Sequence, residues 1–449
     1  MSTAFTGFKE NKDFPNVYEQ GRKISNLIYG IETDRSYVAK TVTFQVTEFC
    51  NLDCTYCYQI NKSNKKLSLE YAKKFIDLLI EEYYTENSYF YQTDCVILEF
   101  IGGEPLIEVD LIYDIIEYFK KVTIKKRHPW AKNYMISMIS NGVLYFNEKV
   151  QKLLKDNEGK LDFSISLDGC KELHDKCRVF HNGKGSYDIA EKACKHYMAN
   201  YNPNMSTKLT LAPENIDWLS KAMINLIENL NYTIIHSNCI FEEGWNEEHA
   251  LIFYEELKKV GDYILDNDLE NDTYISLFDD KDFQFKKLDE SDNGNFCGTT
   301  GSMVAIAPSG DIFTCIRFMR SSLGDNVKPF SIGNIETGIG RRPEYKNRIN
   351  LLDSITRRSQ SDDECWNCPI GSGCGWCTAN NYQETGTPNK RVKHICIMHK
   401  ARALGNVYFL NKLYRKHNMT NRKEMHIPKE WALSIISEEE YNMLYDLQK

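Results

Sequence analysis

Between residue 41 and about residue 270, short apolar runs alternate with longer segments whose apolar residues recur at three- and four-residue spacing. The runs are "TVTFQV", "CVILEFI", "YMISMIS", "LDFSISL", "MSTKLTL" and "YTIIHSN". Between them lie "LSLEYAKKFIDLLIEEYY", "DLIYDIIEYFKKV", "NEKVQKLL", "SYDIAEKACKHYMAN" and "NIDWLSKAMINLIENL". Strand-length runs separated by one-faced helices predict strand–helix–strand units and hence a parallel sheet. Six strands with intervening helices predict an α/β fold of the partial (β/α)6, TIM-like barrel type.

The chemically unusual stretches, beginning at Thr47, Gly102, Ser140, Asp168 and Ala212, each follow directly on a predicted strand. Parallel α/β barrels gather their chemistry at the carboxyl ends of their strands. After the helical stretch "HALIFYEELKKVGDYILDND" the composition changes near residue 290 to glycines, cysteines and short runs. The predicted organisation is an N-terminal extension over 1–40, the barrel over 41–289, a cysteine-rich domain over 290–400, and a C-terminal helix and tail over 401–449. The segment "CIMHKARALGNVYFLNKLYRKH" reads as an amphipathic helix.

Composition narrows the classes of function. At 449 residues the chain exceeds one ordinary core, and 42% hydrophobic with 26% charged residues is a globular balance. A formal charge of -8 gives no general attraction to phosphate backbones, which argues against nucleic acid. The opening "MSTAFTGFKENKDF" has no signal-peptide pattern, and no long uncharged apolar run suits a membrane span. The expected location is the cytoplasm, where fifteen cysteines stay mostly reduced and clustered ones read as metal ligands.

Cys50, Cys54 and Cys57 stand in the order C-x3-C-x2-C just after the first strand. Three thiolates on one loop can hold an iron–sulfur cube and leave one of its irons open. A zinc loop with a distant fourth ligand, or three unrelated core cysteines, uses the same spacing. The stretch "CNLDCTYC", with Tyr56 before the last cysteine, resembles the cluster motif of radical S-adenosylmethionine (SAM) enzymes.

Further elements follow in that family's order. The resemblance implies that "GGEP" (Gly102, Gly103, Glu104, Pro105) receives the amino group of SAM, with Glu104 offering a carboxylate to the ammonium. It places "SNG", with Ser140 and Asn141, at the end of the third strand, and Ser166 and Asp168 of "SLDG" near the ribose and methionine of SAM. It sets Arg178 against the SAM carboxylate. Each motif alone is also an ordinary turn or a surface arginine. A dinucleotide-binding reading fails, since "IGGEPL" lacks the third spaced glycine.

Downstream, Cys297, Cys315, Cys365, Cys368, Cys374, Cys377 and Cys396 resemble the SPASM extension of radical SAM enzymes, although "CGWC" has two residues between its cysteines where three are usual. The resemblance implies two auxiliary clusters, so three [4Fe-4S] clusters in all. Cys297, Cys315 and Cys377 would hold one with an open iron, and Cys365, Cys368, Cys374 and Cys396 would close the other. Paired C-x2-C spacing also suits zinc.

SPASM relatives commonly modify peptides or proteins. The resemblance therefore implies a cysteine-containing precursor peptide as substrate and a thioether as product. It further implies a reducing protein such as a flavodoxin or ferredoxin, and leader binding elsewhere on the chain or on a separate protein. The alternative is an anaerobic sulfatase maturase forming formylglycine. Those enzymes carry an aspartate base after the cysteine matching Cys315, where this chain has Ile316 and Arg317. Asp279 or Asp280 is the candidate substitute base. A reading of another class, a non-enzymatic electron-transfer or zinc-binding protein, leaves "GGEP", "SNG" and "SLDG" without a role.

Overall fold

The computed structural model describes residues 39–278, 287–290, 297–299, 301–419 and 426–449. Asp279 and Asp280 lie outside them. All six apolar runs form strands: β1 (Ala39–Thr47), β2 (Cys95–Gly102), β3 (Tyr134–Ser140), β4 (Leu161–Ile165), β5 (Thr207–Leu211) and β6 (Ile234–Cys239). Helices α1 (Leu69–Tyr84), α2 (Val109–Lys125), α3 (Glu148–Asp156), α4 (Lys171–Cys177), α5 (Tyr187–Asn200) and α6 (Leu219–Glu228) fill the crossovers. In α1, the hydroxyl of Ser68 caps the first turn by accepting from Tyr71 N, and Ala72, Phe75, Ile76, Leu79 and Ile80 form one buried stripe.

Strands β1 to β4 are parallel neighbours in sequence order. Alternate β1 residues Val42, Phe44 and Val46 pack outward into the common core, which leaves Thr43 and Gln45 on the opposite, interior face. Strands β5 and β6 form a second parallel sheet with β7 (Tyr274–Ile275). The two sheets meet where Thr207 Oγ1 donates to Leu167 O at 3.2 Å and Thr210 N donates to Asp168 Oδ1 at 3.3 Å. The start of β5 therefore stands beside the chain leaving β4, so the early residues of β5 are already at the barrel mouth.

The cysteine-rich half does not hang on a linker. Its first strand, β8 (Met303–Ile306), pairs in parallel with β1, and β9 (Asp311–Phe313), β10 (Gly333–Asn334) and β11 (Gly338–Ile339) continue the sheet antiparallel. Helices α8 (Pro343–Asp353) and α9 (Thr378–Thr385) follow, and then α10 (Cys396–Lys416), which runs through the boundary placed at residue 400. The amphipathic expectation for α10 needs correcting: from Ala403 to Asn411 every side is buried. The physical reason is Gly405, where a Cβ would stand 2.6 Å from Leu257 Cδ1 of helix α7 (Glu247–Asp266), so α10 lies hard against α7.

Candidate active site at the barrel mouth

The loop after β1 carries Cys50, Cys54 and Cys57 and is pinned on two sides. On one side Gly103 N donates to Thr47 O and Glu104 N to Phe49 O, both at 3.0 Å, while Gln59 Nε2 donates to Gly102 O at 2.8 Å. A Cβ at Gly103 would come within 2.3 Å of Phe49 O and 2.7 Å of Cys50 N. Glycine is required there because the "GGEP" turn lies on the cysteine loop itself. On the other side Asp53 N donates to Val179 O at 2.7 Å and Thr55 N to Cys177 O at 3.0 Å, and His181 Nε2 bonds Cys50 O at 2.9 Å. The strap from Cys177 to His181 thus holds the loop from below, a role that sequence reasoning did not give to His181.

Glu104 is 1% exposed and accepts three hydrogen bonds, from Ser140 Oγ (2.8 Å), Leu106 N (3.0 Å) and Asn141 N (2.8 Å). It thereby ties the end of β2 to the end of β3 and brings "GGEP" and "SNG" together. Asn141 Nδ2 in turn donates to Asn51 Oδ1 at 2.7 Å and lies 4.0 Å from Cys50 Sγ. Burial pushes the Glu104 carboxyl up to about 7, against the pull of its three donors and of Arg178. A carboxyl raised in this way favours the folded state while protonated. Its contribution, roughly 3 kcal/mol at most, is complete below about pH 4.5 and is lost as pH rises through about 7. We expect the wild-type minus Glu104→Gln difference in urea midpoint, measured without SAM, to fall as pH rises from about 4.5 through about 7; a flat difference would contradict this.

Asp168 is fully buried and is matched by Arg178, whose Nε donates to Oδ2 at 2.8 Å and Nη2 to Oδ1 at 3.4 Å. The Tyr56 hydroxyl donates to the same Oδ2, and the guanidinium lies 5.4 Å from the Tyr56 ring centre. Arg178 is therefore not a surface side chain; Asp168, Arg178 and Tyr56 form one buried group beneath Cys54. The adjoining Gly169 has φ +72°, and a Cβ there would lie 2.2 Å from Ala222 Cβ, so "SLDG" ends in glycine to let α6 close on the turn. Ser166, at the same mouth, is buried and donates its backbone N–H to Ser140 O at 2.9 Å.

The ten clustered cysteines fall into three neighbourhoods according to which thiols stand close enough to influence one another's ionisation. Cys50 feels Cys54, and Cys54 feels Cys57. Cys315 feels Cys297 and Cys377. Cys396 feels Cys374, Cys365 and Cys368. None of the fifteen cysteines is in a disulfide. Burial pushes the Cys50, Cys315 and Cys396 thiols up to about 12 and Cys365 up to about 11, so these thiols stay protonated unless a cation displaces the proton.

Two features test whether iron–sulfur clusters fit here. Among the described residues no three His, Cys, Asp or Glu side chains converge on a single ion, whereas a cube meets each thiolate at its own iron. Beside Cys365, Cys368 and Cys374, Arg391 is buried with Nε and Nη2 unpartnered, 3.9 Å from the Trp376 ring centre. Orphaned guanidinium donors facing thiols suit an anionic sulfide-bearing group. The residues present fit.

The first and second neighbourhoods face each other across Tyr58 and Arg317. The Arg317 guanidinium lies 4.9 Å from the Tyr58 ring centre and pairs with Glu242; Tyr58 feels both Cys57 and Cys315, and Arg317 feels Cys377 and Cys315. The loop bearing Glu242 is held by Asn380 Nδ2 and His394 Nε2, both bonded to Phe241 O. Arg320, the other arginine near Cys315, turns away to Asp325 and three carbonyls.

Comparison with known proteins agrees with this geometry. Residues 44–223 match the Radical SAM superfamily. The antilisterial bacteriocin subtilosin biosynthesis protein AlbA of Bacillus subtilis is 24% identical over 378 residues, 81% of this chain and 72% of its own. The cysteine-type anaerobic sulfatase-maturating enzyme of Clostridium novyi is 31% identical over 157 residues, 34% of this chain and 39% of its own. Among solved structures, native anSMEcpe with bound AdoMet superposes with TM-score 0.60 at 16% identity, covering 86% of this chain and 100% of that one. Streptococcus suis SuiB bound to precursor peptide SuiA superposes with TM-score 0.53 at 14% identity, covering 88% and 83%. Residues 44–223 carry a radical SAM superfamily domain, and such a domain implies a [4Fe-4S] cluster and SAM. Its homologues include peptide-modifying and sulfatase-maturating enzymes of the SPASM type.

Proposed function

We propose that the enzyme installs a thioether between a cysteine sulfur and a carbon of a ribosomally made precursor peptide. The observation that carries this reading is the three-thiol neighbourhood of Cys297, Cys315 and Cys377, which Tyr58 and Arg317 link to the loop of Cys50, Cys54 and Cys57. In this reading Cys50, Cys54 and Cys57 hold the SAM-binding cluster. Cys297, Cys315 and Cys377 hold an auxiliary cluster with one position free for the substrate thiolate. Cys365, Cys368, Cys374 and Cys396 fully ligate a second, with Arg391 balancing its charge.

When bound, the first cluster and SAM supply a 5′-deoxyadenosyl radical that takes a hydrogen atom from a substrate carbon. The chain orients and encloses. Glu104, fixed by Ser140, Asn141 and Leu106, retains one lone-pair direction for the SAM ammonium. The Arg178–Asp168 group packs against Cys54, and Arg178 is our candidate for the SAM carboxylate, with Ser166 a further candidate contact to SAM. Forming the C–S bond removes one hydrogen from carbon and one from sulfur. The first leaves in 5′-deoxyadenosine and the second as a proton; the one remaining electron is what an auxiliary cluster held by Cys297, Cys315 and Cys377 would accept. The proton acceptor is open between Asp279, Asp280 and solvent. A flavodoxin or ferredoxin supplies the initiating electron, and leader recognition falls to another part of the chain or to a separate protein.

The second reading, sulfatase maturation, draws on the similarity to the Clostridium novyi enzyme. Against it, Ile316 and Arg317 follow Cys315, and Arg317 is already paired with Glu242. Anaerobic co-expression with a neighbouring short cysteine-containing reading frame tests the choice. A product lighter by two hydrogens that resists thiol alkylation supports the thioether. An aldehyde formed on a sulfatase peptide would replace that reading with the second.

A further inference from the structure

The cations around the cysteine loop have carboxylate partners: Arg178 has Asp168, Arg317 has Glu242 and Lys62 has Asp53, whereas one further cation on the interior face differs. That cation is Lys208, the second residue of β5. Its neighbours Thr207, Leu209 and Leu211 turn into the core, so Lys208 points to the interior face. There its side chain is open to water, with enough protein around it for desolvation to act on the ammonium. With the Asn238 amide oriented oxygen-first, Lys208 Nζ donates to it at 3.1 Å. The strand pairing sets His236 beside it on β6.

Among the described residues no carboxylate lies within ion-pairing distance of Lys208. The interior carboxylate that acts on it, Glu99, already accepts from Thr43 Oγ1 at 2.5 Å. Strand β5 stands beside Asp168 through Thr210 N, and its partner β6 leads on to Glu242, so Lys208 lies between the group under Cys54 and the group beside Cys315, where Arg178 and Arg317 both act on it as like charges. Burial, followed by Arg178, lowers its pKa from the ordinary lysine value. An ammonium that faces two like charges, with one amide oxygen and the more distant Glu99 as its favourable partners, gains from an incoming anion at hydrogen-bond distance.

We propose that Lys208 is a specificity-determining residue that binds a carboxylate of the substrate peptide, so that the enzyme selects an acidic residue next to the carbon it attacks. The proposal rests on the peptide reading above. Its place between the two cysteine groups favours the substrate over SAM as the source of the carboxylate, because that gap is where a peptide bridging both groups must run. SAM's own carboxylate is the competing source, and the test separates the two.

The experiment uses reconstituted, SAM-loaded holoenzyme under anaerobic equilibrium dialysis with N-acetylglutamate α-amide and its neutral analogue N-acetylglutamine amide. The acid is expected to bind about tenfold or more tightly than the analogue, Lys208→Met to abolish that preference, and Lys208→Arg to keep most of it. SAM retention in the same dialysis is expected to survive Lys208→Met. Equal binding of acid and analogue by the wild type, or a preference that persists in Lys208→Met, overturns the proposal. So does a loss of SAM in Lys208→Met that matches the loss of the acid, which would assign Lys208 to SAM. Iron content and the Lys208→Arg variant distinguish lost recognition from failed folding. No turnover is required, so the outcome is independent of whether the product is a thioether.

Discussion

Replacing Cys50 with alanine is expected to reduce 5′-deoxyadenosine formation to background and to lower iron from about twelve to about eight atoms per chain. Cys50 is buried at the point where three strands' worth of loops converge: Asn141 from β3, "GGEP" from β2 and His181 from the strap all reach its immediate backbone or sulfur. With its thiol removed the loop retains two thiolates, too few to hold a cube that must keep one iron open. Cys239→Ala, which changes a half-buried cysteine outside the three neighbourhoods, serves as the comparison and should keep the full iron count. Anaerobic reconstitution, iron and sulfide analysis, and quantification of 5′-deoxyadenosine check both. Full turnover by Cys50→Ala would remove the proposed catalytic centre, and zinc without sulfide in the wild type would remove the cluster assignment altogether.

Arg178→Met should produce the largest loss of stability of any single substitution considered for the site. Asp168 has no exposure, and its carboxylate depends on one guanidinium for its countercharge. Deleting one partner of a buried pair strands the other, at a cost of about 3–5 kcal/mol, against a total of roughly 5–15 kcal/mol for an ordinary domain. The double variant Arg178→Met with Asp168→Asn should recover much of this, because it neutralises the stranded charge. Urea unfolding of the single and double variants measures the coupling. Simple additivity of the two losses would show that the pair is not the structural unit described here.

The fold was legible where the sequence repeats a pattern over enough residues. Runs such as "CVILEFI" and "YMISMIS" are long enough to mark a strand, and every predicted strand is present. Strands β8 to β11 have two to four residues each and carry no usable periodicity, so the sheet's continuation into the cysteine-rich half was hidden. The burial of α10 was hidden for another reason, since one glycine meeting Leu257 decides it and Gly405 alone does not announce a helix partner.

In the site, the cysteines and short polar motifs were readable because their chemistry is local. Their mutual answers were not. Asp168 and Arg178 were expected to address a ligand, and in the structure they address each other across helix α4. Arg317 finds Glu242, 75 positions away. Lys208 sat in plain view in "MSTKLTL", but only the offset between β4 and β5 shows that it stands at the mouth.

The pairing of β8 with β1 bears on how the two halves can be separated. Strand β1 has β2 on one side and β8 on the other, so the backbone from Thr41 to Phe44 is bonded on both edges. A truncation before β8 would strip one edge from the strand that leads straight into Cys50. It would leave a bare parallel edge lined by Val42 and Phe44, a template for adventitious strand addition. The cysteine-rich half is, in this sense, a built-in guard against self-association, and a barrel expressed without it should precipitate before its chemistry can be assayed.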